Sequence, residues 1–225
     1  MVTCMGGTGF WHLLTEAERG VLTEHGRNVA FKQGAAICTQ GEPATHLFVL
    51  TSGWVKVTGS TRDGREHVLA VRGSGDVVGE LAAEAAGLRT ATMWAISMVG
   101  ALIVPHTAFS DFLDGTPGAN RAYRQALTQR WGQAASLLLA RSGTTGGQRL
   151  AWTLLDLAGQ HGVRADDVVR IQIPLSQDEL ASLAGVSRAT ATRALARWRR
   201  RGLIRTARRS IVISDPDELR QIATP

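Results

Sequence analysis

The chain has 225 residues, of which 44% are apolar, with 25 lysines and arginines against 19 aspartates and glutamates. This apolar content is enough to build a core and excludes a disordered chain. The excess positive charge lies in residues 170–225, which hold 11 basic and 5 acidic residues, whereas residues 1–169 hold 14 of each. Such a split favours two domains, the small basic one facing an anionic partner.

Cysteine content and hydropathy narrow the class of protein further. The two cysteines, Cys4 and Cys38, exclude a disulfide-dense secreted scaffold and a four-cysteine metal cluster. No positively charged segment followed by a long apolar stretch opens the chain, so no signal peptide is predicted. The apolar segment 91–104 is shorter than the ~20 residues of a membrane span, and two buried strands are predicted there. A soluble, cytoplasmic protein is therefore expected.

Short helices and short strands are predicted in the first half of the chain. Residues 10–30 carry apolar residues at helical spacing. In residues 31–104, runs of valine, isoleucine, leucine and threonine alternate with glycine-bearing turns, which predicts an antiparallel barrel or sandwich. The clearest predicted strands are residues 47–50, 55–58 and 67–71. Residues 61–64 are predicted to form a hairpin turn between the last two of these strands. Pro105 ends this region, and Thr107 is expected to cap a short helix through Leu113.

One long helix is predicted for residues 119–141. Its apolar residues are spaced 4, 4, 3 and 4 apart, as in a coiled coil; they are Tyr123, Leu127, Trp131, Ala134 and Leu138. A helix packed only on its own domain would show a similar stripe, but the length and position of this one favour a dimer seam. The glycine-rich segment 142–147 is expected to act as a hinge. Thr145 and Gln148 predict a capping box that opens the next helix, 149–161.

Residues 176–202 carry the most specific pattern in the sequence, a helix, a tight turn and a second helix. Ser176 and Glu179 have the spacing of a capping box at the start of the first helix. Gly185 can end that helix in a left-handed conformation, and Ser187 caps the second helix. The predicted buried positions are Leu180, Leu183, Ala184, Ala191, Ala194, Leu195 and Trp198.

The second helix and the segment behind it form an arginine-rich surface. Nine arginines and no acidic residue lie between Arg188 and Arg209. Arginines near a helix start can reach base edges in the major groove and offer two donors to guanine, whereas hydroxyls and amides there suit phosphate. Residues 203–205 and 210–213 predict a β-hairpin wing with 207–209 at its tip. A generic helical bundle with a solvated basic face would share the charge but not the two caps, the glycine turn and the wing.

A chemically unusual segment lies within the strand region, at residues 75–91. Gly79 would let a ligand approach the backbone closely, and amides at the start of a short alanine-rich helix would bind an anion. Arg89 supplies a fork of donors that fits phosphate, and Glu80 can accept from a ribose hydroxyl. In isolation, a surface loop with an incidental Glu–Arg pair would be the better explanation of this spacing.

The segment 75–91, the long helix and the winged helix-turn-helix together resemble the bacterial Crp–Fnr family, the cyclic AMP receptor protein type, over nearly the whole chain. The resemblance is carried by Gly34 and residues 41–42, 47–53, 63–64, 75–76, 79–81, 177–181 and 185–193. It implies an α+β fold in three parts. These are a jelly-roll-like, cyclic-nucleotide-binding β-roll at 1–118, a dimerisation helix and hinge at 119–147, and a winged helix-turn-helix DNA-binding domain at 148–225.

The resemblance also implies a function. A member of this family is a homodimeric transcription regulator whose β-roll senses an effector and whose long helix relays the state to a two-fold symmetric operator. Contact with RNA polymerase is implied as well. A ligand-independent regulator with a degenerate pocket, and a sensor module that acts through protein–protein contacts, remain as alternatives.

The resemblance assigns a ligand site residue by residue. The implied ligand-binding residues are Val57, Leu69, Ala70, Gly79, Glu80, Leu81, Arg89, Thr90, Ala91, Arg130, Ala134 and Ala135. Ala134 and Ala135 stand where the cyclic AMP member presents hydroxyls to adenine, and alanine can neither donate nor accept there. Each lost pairing costs on the order of 1–3 kcal/mol. The expected effector is a cyclic nucleotide, but cyclic AMP itself is left open.

The resemblance assigns a DNA surface in the same way. The implied DNA-binding residues are Gln177, Ser187, Arg188, Ala189, Thr190, Thr192, Arg193, Arg197, Arg208 and Arg209. Arg188 and Arg193 match positions that contact bases and phosphates. Ala189 stands where a well-known member has an acidic residue that accepts from cytosine, so a different operator is expected.

Several other chemistries are not predicted. An iron–sulfur sensor of this family needs an N-terminal cysteine cluster, which Cys4 alone cannot supply. The six histidines show no ligand spacing, so no metal site is expected. His67, on a strand, is expected to be an ordinary half-buried histidine rather than a haem ligand. No nucleophile–base arrangement is indicated, so no enzymatic activity and no cofactor are predicted.

Overall fold

The computed structural model of the chain describes residues 3–4, 9–61, 63–84, 87–141, 144–207 and 209–224. The elements among these residues are β1 (Thr3–Cys4), α1 (Phe10–Leu13), α2 (Glu16–Glu24), β2 (Arg27–Phe31), β3 (Ala36–Cys38), β4 (His46–Ser52), β5 (Trp54–Ser60), β6 (Glu66–Gly73), β7 (Val77–Val78), α3 (Glu80–Glu84), β8 (Thr92–Ala95), β9 (Val99–Pro105), α4 (His106–Gly115), α5 (Pro117–Arg141), α6 (Gly146–His161), β10 (Gly162–Ala165), β11 (Val168–Ile171), α7 (Gln177–Leu183), α8 (Arg188–Arg200), β12 (Ile204–Ala207), β13 (Ser210–Ile213) and α9 (Pro216–Ala223).

Two compact units are formed. The N-terminal unit comprises Gly7–Trp131, and the C-terminal unit comprises Gly132–Pro225 together with Met1–Gly6. Helix α5 begins in the first unit and ends in the second.

The N-terminal unit is built on two four-stranded antiparallel sheets, in the orders β2-β9-β4-β7 and β3-β8-β5-β6. Strand β4 shows why its sequence is continuously apolar: Phe48 and Leu50 belong to the core that both sheets share, whereas Leu47 and Val49 belong to the core on the opposite face. A strand that is buried on both faces has no polar side to alternate with. The predicted barrel or sandwich is confirmed, and its three clearest predicted strands lie within β4, β5 and β6.

Helices cover the outer face of the first sheet and fix the first half of α5. Phe10 of α1, Phe109 of α4 and Tyr123 of α5 meet edge to face, with ring centroids 5.2–5.9 Å apart. Such pairs contribute about 0.5–1.5 kcal/mol each beyond the area that they bury. Tyr123 and the half-buried Leu127 therefore pack within their own unit, while Trp131 is 81% exposed. The apolar stripe predicted as one dimer seam is thus divided into an intramolecular half and an exposed half.

Two predicted boundaries are wrong for local reasons. Helix α4 begins at His106, and its N-cap is Pro105 without a side-chain cap. Strand β9 leads directly into α4, so Thr107 already lies in the first turn and is not the cap. In the predicted hinge, residues 142–143 lie outside the described residues, whereas Gly146 and Gly147 open helix α6 because the capping box of Thr145 sets its start.

The C-terminal unit combines the end of α5 and helices α6 to α9 with a five-stranded antiparallel sheet in the order β1-β10-β11-β13-β12. The capping boxes of Thr145 and Ser176, the Ser187 cap and the left-handed Gly185 are confirmed. All seven apolar positions predicted as buried in α7, its C-cap and α8 are buried. The wing is the antiparallel pair β12–β13, in which Ala207 pairs with Ser210 rather than lying at the tip.

Candidate functional site

The turn before α3 forms one part of the candidate site. Gly79 has a φ of +84°, and a Cβ atom at this position would lie 2.5 Å from the Nη1 atom of Arg89. Glycine adopts this positive φ without strain, and it has no Cβ atom that would clash with the guanidinium of Arg89. Glu80 follows directly as the first residue of α3 and is buried.

Arg89 is drawn into the N-terminal unit and is only 3% exposed. Its Nη1 atom donates to the Gly79 carbonyl at 3.0 Å, and its Nη2 atom donates to the His46 carbonyl at 2.7 Å. The guanidinium also lies 5.6 Å from the centroid of the Phe48 ring. None of the ion pairs formed among the described residues involves Arg89. Its buried positive charge is held by dipoles and a ring face, so an incoming anion would supply the missing opposite charge.

Arg130 has the opposite environment. From α5 it donates to Glu80 Oε1 at 2.8 Å, to Asp76 Oδ1 at 3.2 Å and to the Val77 carbonyl at 2.5 Å. The guanidinium is largely buried and is compensated by two carboxylates. These charge-assisted bonds connect α5 to the turn before α3, so a ligand that competes for Glu80 would change what Arg130 binds.

The neighbours of Arg89 carry perturbed pKa values. Burial, and then the Arg89 guanidinium, lower the pKa of His46 below its ordinary value, so this imidazole stays neutral near pH 7 and adds no charge beside Arg89. Burial raises the pKa of the Cys38 thiol, and Arg89 opposes this only in part. Cys38 is therefore a protonated core thiol rather than a reactive thiolate.

The other residues implied at the ligand site differ in exposure. Val57 and Ala70 are partly buried and face each other across the β5–β6 pair. Ala91 is buried, whereas Thr90 is exposed. Among the residues implied at the ligand site, Leu69 and Leu81 have more than half of their surface exposed. Ala134 and Ala135 of α5 are also exposed. The structure thus brings Gly79, Glu80, Arg89 and Arg130 together in one unit.

Three residues that contact Arg89 or Arg130 were not predicted from the sequence, and the predicted exposure of His67 is wrong. Asp76, His46 and Phe48 were not assigned to the site, although Asp76 stands in the Gly-Asp pair of the family pattern. His46 and Phe48 come from β4, more than forty positions from Arg89, and no local spacing predicts such a contact. His67 is exposed on β6 rather than half-buried.

In the C-terminal unit, α8 presents one exposed polar face opposite its buried one. The exposed predicted residues of α8 and its cap are Ser187, Arg188, Ala189, Thr192, Arg193 and Arg197, and Thr190 is half-buried. Ser187 Oγ accepts the Thr190 amide at 3.1 Å, which completes the N-cap. The arginines nearest the helix start therefore stand beside a positive helix end, an arrangement suited to a polyanion.

Helix α7 contacts the exposed face of α8, and the resemblance implies that α8 is the recognition helix, the helix that would enter the DNA major groove. Gln177, at the start of α7, accepts a hydrogen bond from Thr192 at 3.4 Å. Arg188 forms an exposed ion pair with Asp178 at 3.2 Å, a type of contact that contributes ~1 kcal/mol or less and can be exchanged for a phosphate. Arg209 is exposed at the wing with a φ of +63°. Arg208 lies outside the described residues.

Comparison with known proteins assigns the chain to a family. A family model described as a cyclic nucleotide-binding domain matches residues 28–116, and one described as a Crp-like helix-turn-helix domain matches residues 148–222. A relative from Mycobacterium tuberculosis strain H37Rv, the CRP-like cAMP-activated global transcriptional regulator, is 32% identical over 198 residues, which cover 88% of each chain. This chain belongs to the Crp–Fnr family of transcription regulators.

Two further similarities extend over most of the chain. The Cyclic AMP receptor protein of Thermus thermophilus is 26% identical and covers 97% of this chain and 98% of its own. The solved structure of FixK2 from Bradyrhizobium japonicum, 19% identical, aligns with a TM-score of 0.76 over 89% of this chain and 98% of that chain. The second similarity shows a shared fold.

Family membership confirms the resemblance and the architecture predicted from the sequence: a β-sheet domain of the cyclic nucleotide-binding type, a long central helix and a helix-turn-helix. The relatives are transcription regulators, and the matched domains indicate a cyclic nucleotide-binding and a DNA-binding part. None of the helices in the described part of the chain has both the length and the apolar character needed to cross a membrane.

Proposed function

We propose that the chain is a homodimeric transcription regulator whose binding to a two-fold symmetric operator is controlled by a cyclic nucleotide in the N-terminal unit. The observation that carries the effector half is the buried guanidinium of Arg89, which has hydrogen-bonding partners but no described carboxylate partner. A cyclic phosphate would supply the opposite charge. The M. tuberculosis relative is named as activated by cAMP, and the T. thermophilus relative as a cyclic AMP receptor.

The mechanism that we propose is a population shift. Glu80 accepts from Arg130 of α5, and a ribose hydroxyl that donates to Glu80 would weaken this ion pair. Binding at Glu80 and Arg89 would then favour one arrangement of α5, provided that the nucleotide has a higher affinity for that state. The expected contacts with RNA polymerase rest on the family resemblance.

A second candidate is a ligand-independent regulator of the same family. Two points favour it: the resemblance places Ala134 and Ala135 where the cyclic AMP member presents hydroxyls to adenine, and the guanidinium of Arg89 already donates to two internal carbonyls. In this case Arg89 would be a structural residue, and cyclic nucleotides would have no effect on DNA binding.

Fluorescence anisotropy separates these functions. The full-length protein is titrated onto DNA fragments that it has selected from a random pool, at several salt concentrations and with and without cyclic AMP or cyclic GMP. We expect affinity to fall steeply as salt rises, and the Arg188→Ala plus Arg193→Ala variant to lose ~10- to 100-fold in affinity with a shallower salt dependence. The matched control is Arg164→Ala plus Arg170→Ala, which removes two exposed arginines from strands β10 and β11.

The same titration tests the effector. A nucleotide that raises the affinity of the unaltered protein but not of Arg89→Ala supports the assignment of Gly79, Glu80 and Arg89 to a nucleotide site. A response that survives Arg89→Ala contradicts it, and no response to either nucleotide favours the ligand-independent regulator. If the Arg188→Ala plus Arg193→Ala variant and the control both retain full affinity, the arginine face of α8 is not the DNA surface. If the unaltered protein binds none of the DNA fragments, the sensor module with a protein output is favoured.

A further inference from the structure

The C-terminal unit contains a cavity of about 260 Å³ beneath the wing. It lies between α6, strand β11, the start of α7, α8 and the wing strands β12 and β13. All of these elements belong to the same compact unit, so the cavity is a property of the DNA-binding part alone. It is separate from the Gly79–Arg89 cluster of the N-terminal unit.

The floor of the cavity is aliphatic. Its buried lining residues are Leu157, Ile171, Ile173, Leu180 and Leu195. An engineered cavity of about 150 Å³ with a similar lining stays dry and binds benzene, so a cavity of this size has room for a longer apolar group. The polar rim is exposed, so the cavity opens to solvent there, and an apolar chain that enters it would displace water from the aliphatic floor and gain dispersion contacts with it.

The rim of the cavity is polar and carries one sign of charge. Gln177, Ser176 and Ser210 offer hydrogen-bonding groups, and Arg209 is the charged residue among the described lining residues. An apolar floor with a few convergent polar groups is the usual composition of a small-molecule site. The guanidinium selects an anion and favours carboxylate through its fork of donors.

We infer that this cavity binds a compact aliphatic carboxylate, with the chain on the leucine and isoleucine floor and the carboxylate at Arg209. We further infer that its occupancy lowers the affinity for DNA. The second statement rests on the proposed DNA-binding function, whereas the first does not.

The expected effect on DNA follows from shared residues. Gln177 and Arg209 are both predicted to contact DNA, and both line the cavity. A carboxylate at Arg209 neutralises one cation of the wing and removes one phosphate contact from each protomer. The salt dependence of DNA binding should then become shallower by ~0.9 per lost contact, with an affinity loss of about tenfold at moderate salt.

Octanoate is a suitable probe, because it has an eight-carbon chain and one carboxylate. The full-length protein, labelled at isoleucine and leucine methyl groups, is titrated with octanoate below the concentration at which it forms micelles. We expect methyl NMR shifts at Ile171, Ile173, Leu180 and Leu195. Core methyl groups of the N-terminal unit, Leu47 and Leu102, should not shift. Shifts centred on those two residues, or no shift at all, would overturn the proposed site.

Two variants and two matched probes locate the ligand. Leu175→Trp replaces a half-buried lining residue with a larger one and should abolish octanoate binding. Arg209→Ala leaves the core intact and should weaken binding by about tenfold, so it keeps the proposal testable if Leu175→Trp does not fold. Octanol and octyltrimethylammonium, which lack the negative charge, should bind more weakly than octanoate to the unaltered protein. Equal binding of all three probes, or octanoate binding that survives both variants, contradicts the assignment.

Anisotropy then tests the effect on DNA separately. Octanoate should weaken DNA binding by the unaltered protein and by Arg89→Ala to the same degree, because Arg89 lies in the other unit. Octanoate shifts at the cavity without any change in DNA affinity would disprove the regulatory half alone. If the protein binds no DNA under any condition, the proposed function fails, while the methyl shifts still decide whether the cavity binds octanoate.

Discussion

Two buried arginines of the N-terminal unit show how environment assigns different roles to the same side chain. Arg130 is compensated by Glu80 and Asp76, which makes it a connection between α5 and the turn before α3. Arg89 is held by two carbonyls and the Phe48 ring, without a described carboxylate partner. An anion entering this region is therefore expected to bind at Arg89 rather than at Arg130.

The contact between Gly79 and Arg89 can be tested with two glycine substitutions. Gly79 and Gly34 both have positive φ values, but a Cβ atom at Gly34 would have no neighbour within 4 Å. Each alanine substitution should cost about 1–2 kcal/mol for the left-handed backbone alone. Gly79→Ala should cost more, because the added methyl group displaces the Arg89 guanidinium, and it should also weaken cyclic AMP binding.

Urea unfolding and calorimetric titration measure the two quantities. Gly34→Ala serves as the control for backbone strain and should keep the nucleotide affinity of the unaltered protein. Equal losses of unfolding free energy and unchanged nucleotide affinity in both variants would show that Arg89 tolerates a side chain at position 79.

At the residue scale, the sequence predicts those site residues that a local pattern joins. Gly79, Glu80 and Arg89 lie within eleven positions of one another, so spacing and residue chemistry were enough to associate them. The His46 carbonyl lies 43 positions from Arg89, and Asp76 meets Arg130 of α5 from 54 positions away, so no local pattern encodes either contact. The long-range contacts of the site were therefore missed.

Helices whose first turn is capped by a side chain are predicted well from the sequence. Helices α6, α7 and α8 each begin at a residue whose side chain caps the first turn, and their buried faces follow the 3.6-residue period. The hairpin β10–β11 was missed because its turn contains no glycine, and Asp166 supplies the positive φ of 53° instead. Strand β1 has two residues, too few for any periodicity.

The cap of the recognition helix gives the prediction at this scale. Ser187→Ala removes the acceptor of the Thr190 amide and should cost about 1 kcal/mol of unfolding free energy. It should also lower DNA affinity several-fold, since the frayed first turn carries Arg188 and Ala189. Chemical denaturation and anisotropy on the same protein give both values.

Thr145→Ala is the matched control for this prediction, because it removes the cap of α6, which carries no predicted DNA contact. Its cost in stability should be similar, and its DNA affinity should be unchanged. If both variants lose the same DNA affinity, the effect of Ser187 comes from general destabilisation and not from the recognition helix.

At the scale of the whole molecule, the second half of α5 presents apolar side chains to solvent. Trp131 is 81% exposed and Leu138 is 65% exposed, and both belong to the stripe whose first members pack inside the N-terminal unit. A tryptophan buries about 150–250 Å² in an interface, at roughly 25 cal/mol per Å². The spacing of the apolar residues in α5 predicted one continuous dimer seam. Spacing alone could not show which turns of the helix pack inside the N-terminal unit.

We expect two chains to pair along the exposed second half of α5, and this pairing can be measured. Trp131→Glu plus Leu138→Glu places like charges at the proposed seam, and sedimentation equilibrium should change from the mass of two chains to that of one. DNA affinity should fall sharply, because a single chain contacts one half-site and loses the second recognition helix. Ser136→Glu, an exposed position on the opposite face of α5, adds the same kind of charge and should leave both the mass and the DNA affinity unchanged. A doubly substituted protein that keeps the mass of two chains would place the dimer contact elsewhere, and an unaltered protein that stays a single chain at every concentration would remove the dimer from the proposed function.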